Sequence, residues 1–216
     1  MRWQHPKRGL VAPSEFVPLA EQTGYIRTVT QWVLARAIKQ CSEWRSRGLP
    51  MNVTVNISAR DLTDVDLPTK LKEMLENEGV AAQWLTLEVT ENAIVGEPGH
   101  AFKSFERLHE LGCRLAVDDY GTGYSTLAYL RRLPLNELKI DKSFIMGMVE
   151  DASDALIVRS TIELAHKLGL TVVASGVEDE TTLGKLRELG CDSVQGFLLS
   201  RPMPPEEIPA WVKESA

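Results

Sequence analysis

Cysteine is scarce in this 216-residue chain, which contains Cys41, Cys113 and Cys191 alone. Three widely spaced cysteines fit reduced thiols, because a disulfide framework needs pairs and a zinc site needs closely spaced ligands. Long apolar runs are also missing: the N-terminus has no signal-peptide-like stretch, and nowhere do about 18 apolar residues run together as a membrane span requires. The sequence therefore predicts a cytoplasmic location and no membrane partner.

Basic residues are outnumbered, with 24 lysines and arginines against 30 acidic residues and a net charge of −6. This balance argues against a nucleic-acid polymer as partner, because proteins that bind such polymers usually present a basic face. A small anionic ligand stays possible if a metal ion or a local basic cluster neutralises it. With 44% hydrophobic residues, no low-complexity segment and no linker, the composition predicts one globular domain over residues 1–216.

The sequence does contain a regular alternation of strand and helix patterns. The predicted strands are 52–58, 85–90, 114–118, 137–140, 171–174 and 193–195. The predicted helices are a short one between Ser14 as N-cap and Gly24 as stop, followed by 26–44, 67–78, 101–111, 125–133, 153–168, 180–189 and 205–214. Strands that alternate with helices of this length favour parallel pairing through right-handed crossovers, so the predicted fold class is α/β.

Polar residues occur at the C-terminal end of every predicted strand. Within 52–58 and 85–90 apolar and polar side chains alternate, so that one sheet face would meet helices while the other is polar. In a (β/α)₈ barrel the C-terminal strand ends carry the chemistry. The polar residues at these ends are Asn56, Glu88, Glu91, Asp118, Asp119, Lys139, Asp141, Ser175, Glu178 and Gln195. If the strands form a barrel, this convergence favours a functional site over independent surface turns.

The stretch 115–127, LAVDDYGTGYSTL, is the most informative of these strand ends. An apolar strand ends in Asp118 and Asp119, and a glycine-rich loop follows at once. Adjacent carboxylates at a strand exit suit a hard divalent cation such as Mg²⁺ or Mn²⁺, which prefers oxygen ligands. The alternative is a solvated turn, and Lys139 could likewise form a structural ion pair with the neighbouring carboxylates.

Seven motifs in order, RWQHP, VNISARDL, LEVTE, VDDYGTGYSTL, LKID, GVE and QGFLLSRPMP, cover essentially the whole chain. In sequence and spacing the chain resembles the EAL domain family, the bacterial phosphodiesterase module that cleaves cyclic di-GMP to the linear dinucleotide. The resemblance implies a TIM-like barrel with two Mg²⁺ or Mn²⁺ ions at the strand ends. Such a metal pair activates a water and clamps the attacking and leaving oxygens of a phosphodiester.

The resemblance also implies a role for individual residues. The implied metal ligands are Asn56, Glu88, Asp118 and Asp119. Lys139 would orient the attacking water, and Glu91 would anchor the loop 118–125. The implied ligand-binding residues are Arg2, Asp141, Glu178 and Gln195, with Arg2 as a phosphate contact.

Two departures from the family pattern affect the expected chemistry. The Glu-Ala-Leu signature that names the family should precede Arg2 and Trp3, but the sequence begins at Met1. The first metal ligand, the first strand and most of the second would then be missing. Ser175 stands where the family has a glutamate before Gly-Val-Glu, so a hydroxyl replaces a carboxylate ligand. Even indirect changes around a metal commonly cost 10- to 100-fold in affinity or activity.

The resulting interpretation is a degenerate, N-terminally incomplete EAL domain that is catalytically inactive and acts as a ligand-binding or protein-interaction module. The alternative is a residual Mg- or Mn-dependent phosphodiesterase that hydrolyses cyclic di-GMP to linear pGpG. We expect metal binding to be weak or absent and cyclic di-GMP binding to be weak. Because so few strands cannot close a barrel, we also expect a homodimer in which the partner covers the open side.

Overall fold

The computed structural model describes residues 1–96, 98–123 and 130–214. Its strands are β1 Trp3–His5, β2 Gly9–Val11, β3 Val53–Asn56, β4 Leu85–Thr90, β5 Arg114–Tyr120, β6 Glu137–Ile140, β7 Thr171–Ser175 and β8 Ser193–Gln195. Its helices are α1 Pro13–Thr23, α2 Ile26–Ser46, α3 Ala59–Leu62, α4 Leu67–Glu78, α5 Glu91–Gly96, α6 Pro98–Glu110, α7 Lys142–Gly147, α8 Ala152–Lys167, α9 Glu180–Glu188 and α10 Ile208–Glu214, with a 3₁₀ turn at Ala82–Trp84. The predicted helix 125–133 falls mostly on residues outside these ranges.

The strands form two sheets. β1 and β2 make an antiparallel hairpin, with Trp3 opposite Val11, that the sequence pattern did not predict. β3 to β8 form a six-stranded sheet in the order of the sequence. The pairs from β5 to β8 are parallel. Neighbouring strands that follow one another in the sequence, with a helix between them, are what right-handed β-α-β crossovers produce. The α/β prediction is therefore confirmed.

The chain divides into two compact units, Met1–Leu87 with Glu97–Cys113, and Glu88–Gly96 with Arg114–Ala216. In the first unit, α2 buries Ile26, Thr30, Leu34, Ile38 and Cys41, which recur every three or four residues along one face. The helix α2 packs against β3 and α4.

One buried carboxylate in the first unit is fully engaged in structural hydrogen bonds. Asp61, 2% exposed, accepts hydrogen bonds from the Ser58 backbone N–H and hydroxyl and from the Thr30 hydroxyl. Its Ser58 partner is the N-cap of α3, so the two form a capping box. Asp61 is therefore a structural residue and not a candidate for chemistry.

The second unit contains β5 to β8, the last half of β4 and the helices α5 and α7 to α10. Leu115, Ala116 and Val117 are fully buried, as expected for a parallel strand covered on both faces. Asn136 joins three strands at their N-terminal ends: its side-chain oxygen accepts from the Leu115 N–H, and its carbonyl accepts from the Thr171 N–H. The strands are thus fixed in register before they reach the polar ends. Within the described ranges, no helix is long and apolar enough to cross a membrane.

Candidate functional site

A buried ammonium group lies between two carboxylates in the second unit. Lys139 Nζ is 2.7 Å from Glu88 Oε1 and 3.5 Å from Asp118 Oδ2. The Lys139 and Glu88 side chains are each 7% exposed, so neither charge is solvated by bulk water. A buried charge requires a partner of opposite sign, and here the strands β4, β5 and β6 each supply one member.

The electrostatics keep this ammonium charged. Burial alone would lower the pKa of Lys139, but the charges of Glu88 and Asp118 and their hydrogen bonds outweigh burial and raise the pKa above its ordinary value. Lys139 therefore remains a cation throughout the physiological pH range. It neutralises part of the negative charge at the strand ends.

A β-bulge explains how two adjacent aspartates can serve one site. Val117 pairs with Leu138 and Tyr120 pairs with Ile140, so β5 uses one more residue than β6 over the same distance. Asp119 takes the left-handed conformation there, with φ of 55°. In a regular strand adjacent side chains point to opposite faces, whereas the bulge changes the direction of the second one.

The two aspartates have different partners. Asp118 Oδ1 accepts the Asp119 N–H at 3.0 Å, while Asp118 Oδ2 is the oxygen near Lys139. The Asp119 carboxyl shares a hydrogen bond with the Asp141 carboxyl. Burial, followed by the charges of Asp118 and Asp141, raises the pKa of Asp119. Burial also acts to raise the pKa of Asp141, but hydrogen bonds from Ser143 and Asp119 outweigh it and lower that pKa. As pH falls, Asp119 is thus protonated before Asp141.

Asp141 has a second function that a sequence signal could have revealed. It is the N-cap of α7, and its Oδ1 accepts from the Ser143 N–H at 2.9 Å and from the Ser143 hydroxyl at 2.5 Å. Aspartate is one of the residues preferred at a helix N-cap, where its side chain accepts from the N–H two or three residues later. The helix α7 was not predicted, and neither was the part that Ser143 has in orienting Asp141.

Glu91 holds the backbone of the turn that follows the bulge. It is 2% exposed, and its Oε2 accepts from the N–H groups of Gly121 at 2.9 Å and Gly123 at 3.2 Å. A Cβ atom on Gly123 would lie 2.8 Å from Asn92 Oδ1, so the turn approaches the start of α5 closely at this position. The remainder of the glycine-rich loop, 124–129, lies outside the described residues.

Ser175 ends β7, one residue before a left-handed glycine. Its Oγ is buried and has no hydrogen-bond partner within the described part of the chain. The next two N–H groups, those of Gly176 and Val177, both donate to the Gln195 carbonyl at 2.7 and 3.1 Å. The side chains of Glu178 and Gln195 are exposed, and the described residues show no hydrogen bond or ion pair of either with the Lys139 cluster.

The remaining sequence candidates belong to the first unit. Asn56 is the last residue of β3, and its side chain is exposed. Arg2 is exposed beside the β1–β2 hairpin and donates to the Met1 carbonyl at 2.8 Å. Their implied roles as metal ligand and phosphate contact stay predictions.

The donor chemistry of the second unit fits a hard divalent ion better than its present geometry does. Carboxylate oxygens are the ligands that Mg²⁺ and Mn²⁺ prefer, and Glu88 and Asp118 converge on one point. That point is taken by Lys139 Nζ. Among the described residues, no three acidic, histidine or cysteine side chains form a group that could hold a metal ion. The cluster as it stands is organised around an internal cation.

Fold and site together define an α/β domain with an acidic centre at the C-terminal ends of its parallel strands. The model of the EAL domain family matches residues 1–202. The chain is 46% identical over 208 residues to the cyclic di-GMP phosphodiesterase NbdA of Pseudomonas aeruginosa, covering 94% of this chain and 26% of that protein. It is 42% identical over 213 residues to the bifunctional diguanylate cyclase/cyclic di-GMP phosphodiesterase MucR of the same organism, covering 98% of this chain and 31% of MucR.

A solved structure agrees with these sequence matches. The MucR phosphodiesterase in complex with cyclic di-GMP superposes with a TM-score of 0.92 at 42% identity, covering 96% of this chain and 84% of that one. The chain therefore belongs to the EAL domain family, as the motifs indicate. It spans about a quarter to a third of the length of NbdA and MucR.

Proposed function

We propose that this chain is a cytoplasmic EAL domain that binds cyclic di-GMP together with a divalent ion and hydrolyses it slowly or not at all. The observation that carries the proposal is Ser175, whose buried Oγ stands unpartnered among the described residues where the family pattern has a glutamate. A neutral hydroxyl supplies neither the negative charge of a metal ligand nor a general base that works near neutral pH.

The ligand follows from family membership and from charge. NbdA and MucR are named as cyclic di-GMP phosphodiesterases, and MucR was solved with cyclic di-GMP. The described centre has the carboxyl groups of Glu88, Asp118, Asp119 and Asp141 against the single ammonium of Lys139. A ligand with two phosphate charges would be repelled by such a centre unless further positive charge is bound.

In the second unit, Glu88, Asp118 and Asp119 are the residues that would hold a divalent ion. When bound, the ion would neutralise phosphate charge and lower the pKa of a bound water. Lys139 already satisfies two of these carboxylates, so it competes for their oxygens. For this reason we expect weak metal binding, and we expect cyclic di-GMP affinity to depend on the metal concentration.

Titration calorimetry and product analysis test the proposal on the full chain. Cyclic di-GMP is titrated in Mg²⁺, in Mn²⁺ and in chelator, and linear dinucleotide is quantified by chromatography after long incubation. We expect binding with metal, much weaker binding in chelator, and little or no linear product. Rapid metal-dependent hydrolysis would contradict the proposal, as would the absence of binding in every buffer.

A second candidate is a residual Mg- or Mn-dependent phosphodiesterase that forms pGpG. It is favoured by the Glu88–Lys139–Asp118 cluster, which keeps the charged groups that the family pattern has at these positions. Ser175→Glu separates the candidates when it is compared with Ser193→Glu, the same change at an exposed serine of the adjacent strand. Rapid, metal-dependent turnover in the unmodified chain supports the second candidate. A gain of turnover in Ser175→Glu alone identifies Ser175 as the defect.

A further inference from the structure

Two residues, Glu91 and Phe144, contact the turn that follows the bulge. Glu91 binds the N–H groups of Gly121 and Gly123. The other support comes from α7, the short helix that begins directly after Asp141. It is made by a side chain and not by hydrogen bonds.

The ring of Phe144 lies against the backbone of Gly121. Gly121 has φ of +100°, and a Cβ atom built on it would lie 2.8 Å from Phe144 Cε2 and 3.4 Å from Phe144 Cζ. Side chains of L-residues rarely adopt this φ, and here the ring also fills the space that a side chain would need. Gly121 is therefore contacted both by the carboxylate of Glu91 and by the ring of Phe144.

The helix that carries Phe144 is itself firmly held. Ile145 is 0% exposed and Met148 is 1% exposed, so the buried face of α7 fixes its position in the unit. At its N-terminus, Asp141 caps the helix through Ser143. A Cβ on Gly176 would lie 2.6 Å from Lys142 Cβ, so the same turn of α7 also touches the turn after Ser175. The first turn of α7 thus contacts both the turn after β5 and the turn after β7.

From this geometry we propose that Phe144 is a positioning residue for the carboxylate turn at the end of β5. Asp119 holds a left-handed conformation that costs free energy for a residue other than glycine, and it lies two residues from Gly121. Such a conformation persists when its surroundings enforce it. The Phe144 ring prevents the turn from moving away from Glu91, and it thereby keeps the Asp119 carboxyl next to Asp141 and the ligand-binding centre. The expected effect of Phe144 on ligand binding rests on the proposed function.

Hydrogen exchange of single amides tests the positioning role without any ligand. In Phe144→Ala the Gly121 and Gly123 N–H groups should exchange at least about tenfold faster, because their bonds to Glu91 open more often. The Leu138 amide in the core of β6 should keep its protection. Met146→Ala on the same helix is the matched control, since Met146 is 60% exposed, and it should leave the glycine amides unchanged. Phe144→Met, which keeps a long apolar side chain, should restore part of the protection.

A double-mutant cycle tests the contact itself. Gly121→Ala places a methyl group against the ring and strains the backbone, whereas Gly121→Ala combined with Phe144→Ala retains the strain without the clash. We expect the combined variant to lose clearly less stability than the sum of the two single losses. Additive losses, or unchanged glycine exchange in a folded Phe144→Ala, would overturn the proposal.

Ligand binding provides the functional measurement. If the chain binds cyclic di-GMP, Phe144→Ala should weaken metal-dependent binding by about tenfold or more, while Met146→Ala should not change it. If the unmodified chain binds cyclic di-GMP and Phe144→Ala binds it equally well, the positioning role is contradicted. No binding by the unmodified chain would contradict the proposed function, and the exchange experiment would still decide the role of Phe144.

Discussion

Replacing Lys139 with methionine removes the ammonium that lies between Glu88 and Asp118 and leaves both carboxylates in a site of low exposure. Removing one partner of a buried ion pair typically destabilises a protein by about 3–5 kcal/mol, because the remaining charge is buried without compensation. For a chain of this size, that loss corresponds to a decrease of roughly 6–20 °C in Tm.

The loss should depend on pH in a defined direction. Without Lys139, burial raises the pKa of Glu88 further above its ordinary value of 4.5, since the opposing attraction is gone. A carboxyl whose pKa is higher in the folded state contributes stability that is present below the unfolded pKa and is lost as pH rises through the folded pKa. Lys139→Met should therefore destabilise the protein least at about pH 4, close to the ordinary carboxyl pKa, and most near neutral pH.

Urea unfolding at a series of pH values measures this effect. Lys72→Met is the matched control, because Lys72 forms an exposed pair with Glu76 at 3.7 Å and should cost less than about 0.5 kcal/mol. Lys139→Met combined with Glu88→Gln should recover part of the loss. If Lys139→Met is no more destabilising than Lys72→Met at neutral pH, the buried cation is not a structural centre of the site.

Three further predictions address other parts of the chain. Burial raises the pKa of Cys113 from 9.0 to about 12, so the contribution of this thiol to stability should be complete below pH 9.0 and lost as pH rises toward 12. Cys113→Ala should remove that alkaline loss in urea unfolding, and persistence of the full loss would contradict the assignment. Glu91→Ala should cost about 2–4 kcal/mol by leaving two N–H groups without their acceptor, and Glu91→Gln should cost less; equal unfolding midpoints for both variants would contradict this. A homodimer should form at micromolar concentration, because β3 and β8 are the two edges of the main sheet, and a stable monomer in sedimentation velocity would exclude it.

The sequence predicted the regular parts of the fold well. The strands of the main sheet follow from apolar runs of the right length. The hydrogen bond from the Leu115 N–H to the Asn136 side chain, which links neighbouring strands, has no such sequence signal. The hairpin β1–β2 was missed, because Trp3–His5 and Gly9–Val11 are too short to show a clear alternation. Short helices such as α7 were missed for the same reason.

Part of the candidate site could be predicted and part could not. Their positions near the C-terminal ends of neighbouring predicted strands placed Glu88, Asp118 and Lys139 together, and these three side chains do meet. In a regular strand, Asp119 would point to the face opposite Asp118. The β-bulge changes this direction, and the apolar pattern does not predict a bulge because it depends on local backbone conformation. The Phe144 contact with Gly121 depends on the packing of α7, so the sequence carried no direct signal for it.

The most direct test of the proposed function is a phosphorus NMR spectrum of cyclic di-GMP, recorded over time with an equal amount of the chain in Mg²⁺. Binding broadens or shifts the phosphodiester resonance, and hydrolysis to the linear dinucleotide creates a phosphomonoester resonance. We predict a perturbed diester signal that chelator restores, with little or no monoester. Fast growth of the monoester signal, or a diester signal that the chain leaves unchanged, would contradict the account.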